Sequence, residues 1–195
     1  MEYALAIIMG YLLGSIPVSL LVARRHGVDL RATGDGNPGA WNALEQLGPR
    51  RAAPAFLGDA AKGLLAGLIG HALGDWWVAF AGVAAAMVGH ALPVFAGFRG
   101  GKAVMTFVGG AFALSPLAAA VALTLCGAVS AAAAFKWGAR VGVFSYPALQ
   151  LAFDPVERVI ATGALMGLIG ALFGLAALRG RSARATPAAG AAPRA

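Results

Sequence analysis

Charge is scarce in this chain. Asp, Glu, Lys and Arg together make up 12% of 195 residues, against 59% apolar, and that surface cannot be hidden inside one water-soluble globule. The chain must dissolve in lipid. It has one cysteine, Cys126, in the middle of an apolar stretch, which excludes an internal disulfide and a cysteine metal cluster and leaves packing as its role. His26, His71 and His90 lie far apart and give no zinc signature. No Walker loop and no G-x-S-x-G elbow is present, and no internal repeat stands out.

What the chain does have is long apolar runs. Residues 2–23, 54–74, 76–98, 115–135 and 156–178 can each cross about 30 Å of hydrocarbon as helix. Two shorter stretches, 103–114 and 141–153, fit tilted, re-entrant or bundle-packed segments. The fold class is therefore all-α: a polytopic membrane protein of about seven transmembrane or membrane-embedded helices.

Charge placement sets the expected orientation. With the N-terminus outside, the internal segments are 24–51, 99–102, 136–140 and the C-terminal tail. They hold Arg24, Arg25, Arg31, Arg50, Arg51, Arg99, Lys102, Lys136, Arg140, Arg179, Arg181, Arg184 and Arg194, which is thirteen of the fifteen bases. The opposite face carries Glu2, Asp75, Asp154, Glu157 and one base, Arg158. The first span has no positive residue before it and runs straight into Arg24 and Arg25, so it reads as an uncleaved span. The net charge of +7 would suggest nucleic acid in a soluble domain, but juxtamembrane arginines meet anionic lipid headgroups instead, so no nucleic-acid partner is expected. Residues 1–178 are expected to form a single membrane-embedded domain. Residues 179–195, built of Ala, Gly, Pro, Ser, Thr and Arg, read as a disordered basic tail.

Two glycine-rich strings share the internal face. Gly34-Asp35-Gly36-Asn37-Pro38-Gly39 matches G-x-G-x-x-G formally, but that pattern means a dinucleotide site only inside a βαβ unit, which membrane helices do not provide. What such glycines supply is backbone free to take positive φ and turn N–H groups toward an anion. The following Ala40–Leu47 reads as a short helix closed by Gly48-Pro49. Trp41, Leu44 and Leu47 form an apolar stripe, with Asn42 and Glu45 on another face. Either an amphipathic anchor or a polar shelf beside a site fits. The second string runs from Gly89-His90 to Gly100-Gly101-Lys102, where a side-chain-free turn and a cation precede a helix start, a geometry suited to phosphate. An ordinary positive-inside loop needs no ligand, and both readings stand on spacing alone. Asp59 and Lys62, three apart, can pair on one helix face.

Taken together, Gly14-Ser15-Ile16-Pro17, the Gly34–Asn42 stretch, Asp59-Ala60-Ala61-Lys62-Gly63 and the Gly89–Lys102 stretch resemble the bacterial acyl-phosphate-dependent glycerol-3-phosphate acyltransferases. The resemblance spans almost the whole chain in order and spacing. It implies an integral protein of the bacterial inner membrane with seven spans and a cytoplasmic active face. Its implied reaction is transfer of a fatty acyl group from acyl phosphate to glycerol 3-phosphate, giving lysophosphatidic acid for phospholipid biosynthesis without cofactor or metal. The His and Asp separated by four residues in soluble-type acyltransferases are missing, since His71 and Asp75 are separated by three.

The resemblance implies that Lys102 and the Gly100 and Gly101 amides hold a phosphate. Asn37 and Asn42, on the scaffold of Gly34, Gly36 and Gly39, would orient the glycerol phosphate. His90 would set the loop or relay a proton, and Ser145 would hydrogen-bond a phosphate oxygen. The chain departs from the family pattern where a serine is replaced by Asp35, a threonine by Trp41, an arginine by Glu45 and a glycine by Ala103. The family's S-x-x-S is reduced to Ser145, and its C-terminal R-H-x-x-N is missing. The alternative is therefore a catalytically divergent relative that binds lipid phosphate or a pathway partner.

Overall fold

The computed structural model describes residues 1–185. Among them are nine α-helices, one short 3-10 turn and no strand. The helices are α1 (Glu2–Gly14), α2 (Val18–Arg25), α3 (Ala40–Leu47), α4 (Pro49–Leu73), α5 (Trp76–Ala91), α6 (Val104–Leu114), α7 (Pro116–Ala132), α8 (Phe135–Gln150) and α9 (Val156–Ala185). Four stretches are long and apolar enough to cross a membrane: Glu2–Arg25, Pro49–Leu73, Trp76–Ala96 and Val156–Leu178. The chain is an all-helical membrane protein.

Local chemistry explains where the helices break. The first expected span is two helices, because Pro17 lacks an N–H and its ring pushes Ile16 out of the helical region. Helix α3 ends at Gly48, whose φ of +75° is open to glycine, and Pro49 then starts α4 at a position where its missing N–H costs nothing. Asp75 caps α5 by accepting from the N–H groups of Trp77 (2.9 Å) and Val78 (3.1 Å). The segment 136–140, expected as a loop, is instead the start of α8, where Lys136 and Arg140 both lie against the Trp137 ring. Helix α9 continues to Ala185, seven residues into the segment expected to be a disordered tail, and the rest of that segment lies outside the described residues.

The bundle is assembled by close backbone approach. A β-carbon at Gly10 would collide with the Gly82 carbonyl and one at Gly14 with Ala86, so α1 and α5 run side by side in the same direction. Helices α4 and α6 are joined the same way, with Gly63 on the Thr106 carbonyl and Gly109 on the Ala60 carbonyl. Gly70 against Ala79 and Gly82 against Ala66 set α4 antiparallel to α5. A core of Val83, Met87, Phe107, Leu114 and Ala118 fills the middle, extended toward α8 by an edge-on contact between Phe107 and Tyr146.

These directions bring the C-terminal ends of α2 and α5 and the N-terminal ends of α4 and α6 to one end of the bundle. The start of α8 joins them there through Phe135, which stacks on Trp41 at 5.8 Å and meets Phe56 edge-on. Beneath this end a second core of Leu20, Ala23, Leu30, Ala43, Ala52 and Ala55 seats the segment between α2 and α3.

Candidate active site

The two glycine-rich strings meet at that end. Arg31 ties them together: its Nη2 donates to the carbonyls of Ala96 (2.6 Å) and Arg99 (2.7 Å). Partial burial, then the like charges of Arg99 and Arg24, lower the Arg31 guanidinium from its ordinary value, with Asp29 opposing. An arginine stays charged through such a shift, so both bonds are charge-assisted. Sequence reasoning counted Arg31 only as one more internal base. The signal for its role was Asp29, whose Oδ1 accepts from the Arg31 N–H at 3.0 Å and so fixes where that side chain starts.

The first string is a shaped loop. Gly34 and Gly36 take φ of +60° and +70°, which residues with a β-carbon rarely adopt. Asn42 is 1% exposed, and its amide nitrogen donates to the carbonyls of Leu30 (3.0 Å), Thr33 (3.0 Å) and Asn37 (3.1 Å). So engaged, the amide nitrogen of Asn42 holds the loop's shape. Asn37 is half-buried, and its side-chain amide makes no hydrogen bond among the described residues, so it is the asparagine left available. Glu45 accepts from the Trp41 indole N–H at 2.8 Å, and its charge is engaged there.

The second string turns back on α5. The amides of Gly100 and Gly101 donate to the carbonyls of Ala91 and His90, each at 3.1 Å. Those two N–H groups, expected to cradle a phosphate, are engaged in the turn itself. The donors left over are the N–H groups of Lys102 and Ala103 and of the first turn of α6, Val104 to Thr106, none of which has a hydrogen-bond partner among the described residues. A helix start with orphan donors favours an anion, and Lys102 adds a full positive charge beside it.

The glycines bring the site together by closeness. A β-carbon at Gly101 would strike His90 Nε2 and touch Gly39, so the imidazole, the second loop and the first loop converge at this point. Behind them lies a buried polar cluster within the helices. Asp59 accepts from Ser19 Oγ (2.6 Å) and pairs with Lys62 Nζ (2.8 Å), while His90 Nδ1 lies 3.6 Å from Asp59 and 3.2 Å from Thr106 Oγ1. Lys62 Nζ also donates to the Ile16 carbonyl (3.2 Å), which the break before Pro17 leaves accessible. Asp59, Lys62 and His90 are 1%, 4% and 7% exposed, so each ionisable group has a partner where water cannot serve as one. The pairing of Asp59 with Lys62 was readable from spacing. Ser19 and Thr106 were not, because they come from α2 and α6 and no sequence spacing links those helices to α4 and α5.

Ser145 does not join this group. It sits on α8 and donates to the Gly142 carbonyl of its own helix at 3.4 Å. Lys102 instead turns to the first glycine-rich loop and α9, with its Nζ on Asp35 Oδ2 at 3.1 Å and 4.5 Å from the centre of the Phe173 ring.

A family model described as glycerol-3-phosphate acyltransferase matches residues 4–184 of the chain. A glycerol-3-phosphate acyltransferase of Geobacter sulfurreducens is 41% identical over 152 residues, which cover 77% of this chain and 77% of that protein. Two crystal structures of PlsY (YgiH), an integral membrane glycerol 3-phosphate acyltransferase, match 94% of both chains. The glycerol 3-phosphate form has a TM-score of 0.78 at 31% identity, and the lysophosphatidic acid form 0.76 at 30%.

Proposed function

The chain belongs to the glycerol-3-phosphate acyltransferase family and is a membrane acyltransferase, and we propose that it moves a fatty acyl group from acyl phosphate to glycerol 3-phosphate at the Lys102 end of the bundle. The observation that carries this reading is the meeting of Gly39, Gly101 and His90 beside the cationic, donor-rich start of α6. Two phosphorylated substrates need such a place: one end of a helix with free N–H groups, a lysine, and backbone without side chains in the way.

In the proposed reaction, a hydroxyl oxygen of glycerol 3-phosphate attacks the acyl carbonyl carbon. The new ester C–O bond forms, the bond from that carbon to the phosphate oxygen breaks, and phosphate leaves with the bonding pair. His90 Nε2 takes the hydroxyl proton and returns it to the leaving phosphate, while Nδ1, held between Asp59 and Thr106, keeps the ring in place. Lys102 and the first-turn amides of α6 neutralise phosphate charge as it builds up. Asn37 contributes its side-chain amide, and Asn42, Gly34, Gly36 and Gly39 shape the loop that presents it. The acyl chain stays among the helices and lipid, so no large apolar surface has to enter water.

We further read residues 1–178 as one membrane-embedded domain crossing the bacterial inner membrane seven times, with the N-terminus outside and this end of the bundle cytoplasmic. The clustering of Arg24, Arg25, Arg50, Arg51, Arg99, Lys102, Lys136 and Arg140 at one end supports it. Accessibility labelling of single cysteines at residues 36 and 101 should place both on the cytoplasmic side; opposite sides would overturn the site. The activity itself is tested by assaying purified protein with acyl phosphate and glycerol 3-phosphate. Lys102→Ala should lower kcat/KM about 100-fold or more. No turnover by well-folded wild-type protein would overturn the reading.

A further inference from the structure

We propose that Asp35 is an internal competitor for the phosphate subsite: its carboxylate occupies Lys102 in the resting enzyme and must be displaced before a phosphate monoester can bind. The inference rests on the site reading above and goes one step further, to what sets substrate affinity in this chain. Lys102 Nζ and Asp35 Oδ2 lie 3.1 Å apart, with the lysine side chain 17% exposed and the carboxylate 46% exposed. The cation is therefore inside and its partner outside, so an anion arriving from water meets Asp35 first.

The carboxylate is fixed in that position. Asp35 stands between two residues of positive φ, Gly34 and Gly36, and its Oδ1 accepts from the Asn37 N–H at 3.0 Å, which leaves Oδ2 aimed at Lys102. A carboxylate resembles two oxygens of a phosphate in charge and spacing, so it engages the same ammonium that a phosphate requires. An incoming dianion also meets repulsion from Asp35 until the loop gives way. A partly exposed pair is weak, and its loss can be recovered by a ligand with two charges and more oxygens. The consequence is a raised KM without a block on turnover.

Asp35→Asn tests this directly, since the amide oxygen can still accept from Asn37 while the charge is gone. In detergent-solubilised full-length protein, the KM for one of the two substrates should fall about two- to fivefold, the change expected from freeing one exposed ion pair. Whichever KM falls identifies whose phosphate Lys102 holds, glycerol 3-phosphate or acyl phosphate. Binding of glycerol 3-phosphate and of inorganic phosphate by calorimetry gives the same comparison without turnover. Combined with Lys102→Ala, the gain from Asp35→Asn should vanish, because the competitor has lost the cation it covers.

The inference is overturned if neither KM nor either binding constant improves in Asp35→Asn. It is equally overturned if the improvement survives in the Lys102→Ala background, which would make it a general field effect of the loop. Phosphate binding that depends on Lys102 but not on Asp35 removes this inference alone. Absence of phosphate binding and of turnover in wild-type protein removes the site reading along with it.

Discussion

The glycines of α4 and α6 and the glycines of α9 are the same residue put to opposite uses. Gly63 lies on the Thr106 carbonyl and Gly109 on the Ala60 carbonyl, whereas at Gly163, Gly167, Gly170 and Gly174 an added β-carbon would meet nothing within 4 Å. Burial follows the same division, with 39% of the apolar stretch of Pro49–Leu73 buried inside the protein against 17% of that of Val156–Leu178. Lipid tails are as apolar as the helices, so burial of greasy surface cannot drive helices together in a membrane; close backbone contact and internal polar partners must do it. The packed part of the bundle has both. That is also the part that holds His90, Asp59 and the start of α6, so close packing and the proposed site coincide.

The polar partners carry the most weight in the packed part of the bundle. Asp59→Ala strands Lys62 in a buried position without its carboxylate, and removing one member of a buried pair costs about 3–5 kcal/mol. Thermal unfolding in detergent should show a large drop in midpoint. A midpoint close to wild type would mean that Lys62 finds another partner and that the cluster does not hold these helices. Gly63→Val should come next, at about 1–3 kcal/mol, because its side chain has to push Thr106 backbone away. Equal tolerance of valine at Gly63 and at Gly167 would mean that close backbone contact does not set α4 apart from α9. Smallest is Gly167→Ala, which should stabilise by about 0.5–1 kcal/mol, since alanine is the better helix former and the space is open. A loss of stability there would reveal that α9 is covered in a way its exposure does not suggest.

Much of this organisation was legible in the sequence. Hydropathy located four of the five long spans because lipid imposes a length and a composition on each helix, whereas the fifth, 115–135, is the shorter helix Pro116–Ala132. Gly48-Pro49 ends α3 as expected, but α4 begins at Pro49, ahead of the expected start at 54. The break at Ile16-Pro17 was hidden because the run on both sides of it is uniformly apolar. The segment 136–140 reads as a loop from its positive charge, but two bases lying against Trp137 are compatible with a helix start. In the site, glycine spacing and Lys102 pointed to an anion, but not to which N–H groups stay free. That depends on the turn by which Gly100 and Gly101 reach back to Ala91 and His90, and no periodicity encodes it. Ser145 illustrates the same gap, since a family motif put it beside a phosphate and its own helix claims its hydroxyl.

The interruption before Pro17 sets a tolerance on the whole cluster. Lys62 is held by one carboxylate and by the Ile16 carbonyl, and that carbonyl points to α4 only because the proline stands where it does. Sliding the proline one place along would swing the exposed oxygen by about 100° around the helix axis, toward a different neighbour. The register of the first helix and the position of a lysine forty-five residues after that proline are thus locked to each other.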